Sequence, residues 1–228
     1  NKNVSADYSI IGDAKLILEK LTEQVPQCEH KEWQEEISQM SKKYPLYYNP
    51  NVLSGPTAIV EIYKATKGDA IITTEVGQHQ MWAAQFYKYK EPRQFLSSGG
   101  LGTMGYGLGA SLGAKVSNPD RVVVNIAGDG GFRMNMNELA TASRNNIPII
   151  EVIIDNRVLG MVRQWQTLFY GKRYSHTVLD DGVDFVKLAK SMGCVAYKAE
   201  TVKEFRKVFN KALKQNKPVV IDCRIDKD

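Results

Sequence analysis

From about residue 51 onward, short apolar runs alternate with stretches whose apolar positions recur every three to four residues. The runs Ala70–Thr74, Val122–Ala127, Ile149–Ile154, Val195–Lys198 and Pro218–Cys223, with a weaker one at Gln94–Ser97, predict strands. Between them, Thr57–Thr66, His79–Tyr87, Tyr106–Val116, Met136–Asn145, Val183–Met192 and Val202–Gln215 predict helices. Val123, Val124 and Ile126, and then Ile149, Ile150, Val152, Ile153 and Ile154, are nearly continuous β-branched runs, as strands covered on both faces require. The alternation predicts an α/β fold: a doubly wound, mostly parallel sheet with helices on both faces. No internal repeat or low-complexity tract interrupts it.

Residues 1–50 follow a different pattern. Asp13–Gln24 and the charged stretch His30–Lys43 predict two helices, and Tyr44-Pro45-Leu46-Tyr47-Tyr48-Asn49-Pro50 ends the second, because proline disfavours helix in the residue before it. This reads as a helical linker leading into a compact domain at 51–228. The chain opens abruptly and without an initiator methionine, so a piece of a longer polypeptide is expected.

Composition narrows the class only a little. The 228 residues are 43% apolar and 24% charged, ordinary for a soluble globular chain. The net charge of +5 is modest, and its late excess (Lys203, Arg206, Lys207, Lys211, Lys214, Lys217) has the spacing of a solvated helix face, not of a nucleic-acid or membrane site. Cys28, Cys194 and Cys223 are odd in number and far apart, which argues against a disulfide framework or a zinc site and fits a reducing cytosol. No apolar run has the length of a spanning helix.

The unusual residues fall after the predicted strands, on the rim where such sheets bind ligands: Glu75 to Gln80, Ser98 to Gly102, Gly128-Asp129-Gly130-Gly131, and Asp155-Asn156. Glycines after a buried strand let the backbone approach a ligand, and N–H groups at a helix start favour phosphate oxygens. Asp129 would repel a phosphate unless a cation lay between them, and magnesium commonly takes one or two carboxylates together with phosphates. Asn156, 27 residues beyond Asp129, returns to the same rim after one helix and one strand, with an amide oxygen suited to the same ion. A dinucleotide fingerprint is not matched at Gly128, Gly130 and Arg133, and a Walker A loop is absent. Magnesium diphosphate is the expected ligand.

This Gly-Asp-Gly…Asn segment resembles the binding motif of thiamine-diphosphate enzymes. Val76-Gly77-Gln78-His79-Gln80-Met81-Trp82, Ser98-Gly99-Gly100-Leu101-Gly102-Thr103-Met104-Gly105-Tyr106-Gly107 and Gly160-Met161-Val162-Arg163-Gln164-Trp165-Gln166 resemble, in order and spacing, blocks of the acetolactate synthase (acetohydroxyacid synthase) large catalytic subunit family. The likeness runs from about Ile11 to the end. It implies that Asp129 and Asn156 ligate magnesium through side chains and Val158 through its carbonyl. It further implies that Val76, Gly77, Gln78, His79, Gly130 and Gly131 contact the diphosphate. Met104 would wedge the cofactor's two rings into a V, and Gly102 would accept a hydrogen bond from its amino group. Met161 and Trp165 would line the substrate entrance, with Met161 also against the cofactor.

The implied reaction joins two pyruvates into 2-acetolactate, or pyruvate and 2-ketobutyrate into 2-aceto-2-hydroxybutyrate, with loss of carbon dioxide, in branched-chain amino-acid biosynthesis. Family members carry a pyrimidine-binding domain and a central FAD-binding domain ahead of the diphosphate-binding one. Residues 1–22 resemble the tail of the central domain. No residue here matches the activating glutamate of the first domain, which a partner subunit supplies, and Glu75 is on the wrong side to serve. The resemblance thus implies a homo-oligomeric parent enzyme, a possible small regulatory subunit and an inactive chain on its own. The chain stops before the family's C-terminal closing segment, and Asp155 stands where asparagine is usual. Pyruvate oxidase, glyoxylate carboligase and keto-acid decarboxylases share the Gly-Asp-Gly logic without the other two blocks. A non-catalytic nucleotide-binding module is the alternative of another class, against which Asp129, Asn156 and Met104 together argue. Phe169 and Tyr170 are expected to pack, Met161 and Trp165 have the alternative of a buried helix stripe, and His30 and His176 are expected on the surface.

Overall fold

The computed structural model describes residues 3–227. Asn1, Lys2 and Asp228, which the expected segments include at their ends, lie outside the described residues. The chain divides into two compact units, one up to Pro45 and one from Leu46. The first holds α1 (Ala14–Gln24), capped by Asp13, whose carboxylate accepts the Leu16 N–H at 3.1 Å, and α2 (Lys31–Lys43). Neither helix has a buried residue.

The second unit runs α3 (Gly55–Thr66), β1 (Ile71–Thr74), α4 (Gln78–Phe86), β2 (Phe95–Ser97), α5 (Tyr106–Ser117), β3 (Val123–Gly128), α6 (Asp129–Asn135), α7 (Glu138–Arg144), β4 (Ile150–Asp155), α8 (Gly160–Phe169), α9 (Phe185–Ser191), β5 (Val195–Ala199), α10 (Val202–Ala212) and β6 (Val219–Arg224). Its six strands form one sheet in the order β2-β1-β3-β4-β6-β5, with every neighbouring pair parallel. The expected strands are all present, and the sheet is wholly parallel where a mostly parallel one was expected.

Both faces are covered, as the β-branched runs require. On one face Ile72, Val124, Ile126, Val152 and Ile154 pack with Ile59 and Ile62 of α3, Ala83 of α4, and Phe205 and Phe209 of α10. On the other, Val123, Ala127, Ile149, Ile153 and Val220 pack with Leu108 and Leu112 of α5, Phe132 of α6, Leu139 of α7 and Phe185 of α9. Local signals fix the helix starts. Ser54 caps α3, and Thr201 with Glu204 forms a capping box on α10. The second face also carries a polar row. Thr73 donates to Asn125 Oδ1 at 2.8 Å, and Asn125 Nδ2 donates to both oxygens of the wholly buried Glu151 at 2.9 Å.

Two helical expectations need correction. The single helix expected at Met136–Asn145 is the second of a pair, because the turn after β3 becomes helical at Asp129 itself and α6 ends before α7 begins. Helix α8 adds an element between β4 and the Asp180–Asp184 loop. No residue of α8 is buried, so the buried-stripe alternative for Met161 and Trp165 fails. Phe169 and Tyr170, expected to pack, are 69% and 54% exposed, since they end a helix that lies outside the core.

Candidate diphosphate site

Four strand ends, neighbours in the sheet, deliver the candidate residues to one rim. After β1 comes Glu75-Val76-Gly77 and the start of α4; after β2, the glycine block; after β3, Asp129 and α6; after β4, Asn156 to Leu159 and α8. They enclose a half-open cavity of about 160 Å³ lined by Val76, Gly77, Gln78, His79, Gly102, Met104, Asp129, Gly130, Gly131, Asn156, Val158 and Met161. Trp165 stands apart from it. With Met161, Val162, Gln166, Tyr170 and Arg173 it lines an adjoining surface depression.

The glycines are explained by what a side chain would meet. A Cβ on Gly128 would come 2.8 Å from Nδ1 of His79, and one on Gly77, where φ is +150°, would come 2.9 Å from Cε1 of the same ring. Gly130 faces Leu159 at 2.7 Å and Gly131 faces Cβ of Glu75 at 2.8 Å. The imidazole between Gly77 and Gly128 is buried, and burial pushes its pKa down to about 4, so it is neutral at pH 7. Its Nε2 has no hydrogen-bond partner.

Glu75 holds the glycine block from behind. Its buried carboxylate accepts the N–H groups of Gly105 at 2.5 Å, Gly107 at 2.8 Å and Leu108 at 3.2 Å, at the start of α5. Burial raises its pKa and those backbone donors oppose the rise. A carboxylate at a helix N-terminus also suits the helix dipole. It does not line the cavity.

The turn after β4 is tied in place. Asp155 Oδ1 accepts the N–H of Arg157 at 3.2 Å and Asn156 Oδ1 that of Val158 at 3.1 Å. Arg157 takes a left-handed conformation, φ +58°, one of several non-glycine residues to do so. Leu159 N–H to Thr177 O and Leu179 N–H to Arg157 O, both 2.8 Å, clamp the turn to the strand-like segment around Val178.

These features test whether a metal diphosphate fits. Asp129 is 2% exposed; its Oδ1 accepts the Gly130 N–H at 3.0 Å, while Oδ2 is buried without a partner. Burial first, and then the charge of Asp155, raise its pKa, with the Gly130 N–H and the charge of Arg133 too weak to offset them. A cation there would supply one. Among the described residues no group of three or more His, Cys, Asp or Glu gathers as a metal cluster. One carboxylate, one amide and one backbone carbonyl suit an ion that fills its shell with phosphate oxygens and water, as magnesium does. The residues present fit the group.

Sequence reasoning missed Trp82, Ile154, Leu159, Gly160 and Val162, which also line the cavity. Gly160 had a signal in its block, and the reason is steric, since a Cβ there would fall 2.2 Å from Oε1 of Gln78. Gln164 is a further omission. It accepts a hydrogen bond from Gln78 Nε2 at 3.1 Å and so joins α8 to α4. His30 and His176 are exposed, as expected.

Residues 75–223 match the family described as "Thiamine pyrophosphate enzyme, C-terminal TPP binding domain". The "Probable acetolactate synthase large subunit" of Methanocaldococcus jannaschii is 45% identical over 99% of this chain, which covers 40% of that protein. The "Acetolactate synthase isozyme 3 large subunit" of Escherichia coli is 39% identical, again over 99% of this chain and 42% of its own length. The chain thus spans about two-fifths of the length of these relatives. Among solved structures, a thiamine diphosphate-dependent 4-hydroxybenzoylformate decarboxylase from Rhodococcus jostii superposes with a TM-score of 0.73 at 23% identity, over 81% of this chain and 35% of that one, a likeness of fold. A family match over more than half of the sequence, on the rim that carries Asp129 and its glycines, places this chain among the thiamine pyrophosphate enzymes, as their C-terminal cofactor-binding domain.

Proposed function

We propose that the chain is the cofactor-binding part of an acetolactate synthase large subunit, holding magnesium and the diphosphate end of thiamine diphosphate. The observation that carries this is the buried, unpartnered Oδ2 of Asp129 in a glycine-lined cavity shared with Asn156 and Val158. Asp129 and Asn156 would hold the ion by side chains and Val158 by its carbonyl. Val76 to His79, with Gly130 and Gly131, would take the diphosphate, and Met104 and Gly102 the ring side. When bound, thiamine diphosphate supplies the nucleophilic carbon and electron sink that 2-keto-acid decarboxylation requires. The chain's own part is to orient it and to keep water out, for which Val76, Ile154, Leu159, Met161 and Val162 give an apolar wall.

The identity of 39–45% to acetolactate synthase relatives supports pyruvate, with a second pyruvate or 2-ketobutyrate, as substrates, Met161 and Trp165 facing the second. The cavity is smaller than the roughly 300–1,000 Å³ of a cleft that encloses a drug-sized ligand, which supports a divided site. In this reading residues 1–50 are the end of a central domain and a linker. In the homo-oligomeric parent enzyme the FAD would be bound mainly outside this sequence, and the activating glutamate would come from the pyrimidine-binding domain of a partner subunit, with a small regulatory subunit as a further partner. Calorimetry tests the reading: thiamine diphosphate binds in the presence of magnesium, and binding is lost without the ion and in Asp129→Ala. Binding that ignores magnesium would refute the metal assignment, and pyruvate turnover by this chain alone would refute the division of the site.

A further inference from the structure

Three carboxylates meet where β3, β4 and β6 end. Asp129 follows β3, Asp155 closes β4 and Asp222 lies in β6, and in the sheet register Gly128 pairs with Ile154, Ile153 with Asp222, and Asp155 with Arg224. All three are buried, and the charge of Asp155, in the middle, acts on both others. The cation in direct contact with the row is Arg224, whose Nη2 lies 2.9 Å from Asp155 Oδ2. Its Nε and Nη1 have no hydrogen-bond partner, so its bonding is directed at Asp155. Arg133 of α6, whose charge also acts on Asp129, is engaged by Asp181, and the charge of Lys198 acts on Asp222.

We infer that Arg224 is a positioning residue for the cation site: its ion pair with Asp155 opposes the negative charge that Asp155 places beside Asp129. This rests on the metal reading of Asp129 and Asn156 given above. Parallel register sets up the pairing, because residues 155 and 224 are direct partners on adjacent strands. Even at the dielectric of bulk water, a unit charge ~6 Å from a divalent ion changes its affinity by about tenfold. An unpaired Asp155 would therefore strengthen the hold on an ion, and an unpaired Arg224 would weaken it. Replacing both would return the local charge to its starting value.

The test is Mn2+ binding to the full chain with saturating thiamine diphosphate, followed by the electron paramagnetic resonance signal of the free ion. Arg224→Gln is expected to bind Mn2+ about tenfold more tightly, Asp155→Asn about tenfold more weakly, and the double variant within about threefold of the unchanged protein. Weakened binding in both single variants, or a double variant weaker than either, would overturn the inference, because residues that merely hold the fold do not produce shifts of opposite sign. Should Arg224→Gln fail to fold, the other two variants decide. The double variant must then bind the ion more tightly than Asp155→Asn, and equal or weaker binding overturns the inference. Failure of the unchanged protein to bind Mn2+ would refute the metal reading itself, and the inference would fall with it.

Discussion

The carboxylate of Glu75 accepts the N–H of Gly105 at 2.5 Å, across thirty residues of sequence, and so ties the end of β1 to the start of α5. The same carboxylate takes the N–H groups of Gly107 and Leu108. Glu75→Ala would strand three buried donors, and is expected to cost about 2–3 kcal/mol of stability. Denaturant unfolding checks this. A cost below 1 kcal/mol would mean that water replaces the carboxylate.

Gly128→Ala tests the packing of His79. The added methyl would fall 2.8 Å from the ring, and the glycine is followed by Asp129, the proposed metal ligand, so neither side can yield freely. Affinity for magnesium and thiamine diphosphate is expected to fall at least about tenfold, equivalent to ~1.4 kcal/mol. Isothermal calorimetry would show it, and unchanged affinity would mean that the imidazole relaxes at no cost to the site.

Met104 separates a packing role from a binding one. It is half-buried at the cavity wall and belongs to neither core cluster. A buried methionine cut to alanine costs about 2–5 kcal/mol; Met104→Ala is expected to cost under about 1 kcal/mol, yet to weaken cofactor binding. Thermal melts with and without ligand compare the two. A large loss of stability in the free protein would make Met104 a core residue.

Glu151 supplies a pH dependence. Burial raises its pKa well above the usual carboxylate range, and the two bonds from Asn125 only partly oppose the rise. Below the unfolded value near 4.5 the group is protonated in both states and carries no penalty. As pH rises past that value the unfolded chain ionises while the folded one keeps its proton, so stability falls, by at most about 1.4 kcal/mol per pH unit. Glu151→Gln has no such proton and is expected to gain on the unchanged protein from pH 4 to pH 7. Parallel stability curves for the two would show that Glu151 ionises freely in place.

Much of this was legible in the sequence because it was written in the period of apolar residues and in glycine. Runs such as Ile149–Ile154 announce a strand covered on both faces, and Gly-Asp-Gly after such a run announces a rim. Asp129, Asn156 and Met104 then come together because parallel strands deliver all their C-terminal ends to one side. What stayed hidden depends on side chains meeting across long separations. The role of Glu75 needs the helix that starts at residue 106, and the pairing of Asp155 with Arg224 needs the strand order. The exposure of Phe169 and Tyr170 could not be read because α8 has an apolar stripe like that of any core helix, and only its place outside both core layers leaves the stripe in solvent.

That place has a thermodynamic consequence. A ten-residue helix without buried residues draws little from the core, and one of that length is marginal in water by itself. Helix α8 therefore stays folded through its attachments: the Gln78–Gln164 hydrogen bond on one side, the clamp of residues 157–159 against 177–179 at its base, and the contacts of Arg163, Gln166 and Thr167 with Tyr174 and Ser175. Its opening is a local event, uncoupled from the melting of the sheet. Amide exchange at residues 164–169 should outpace that of β3 and β4 by orders of magnitude, so the wall that carries Met161 and Trp165 can be remodelled while the floor that carries Asp129 stays rigid.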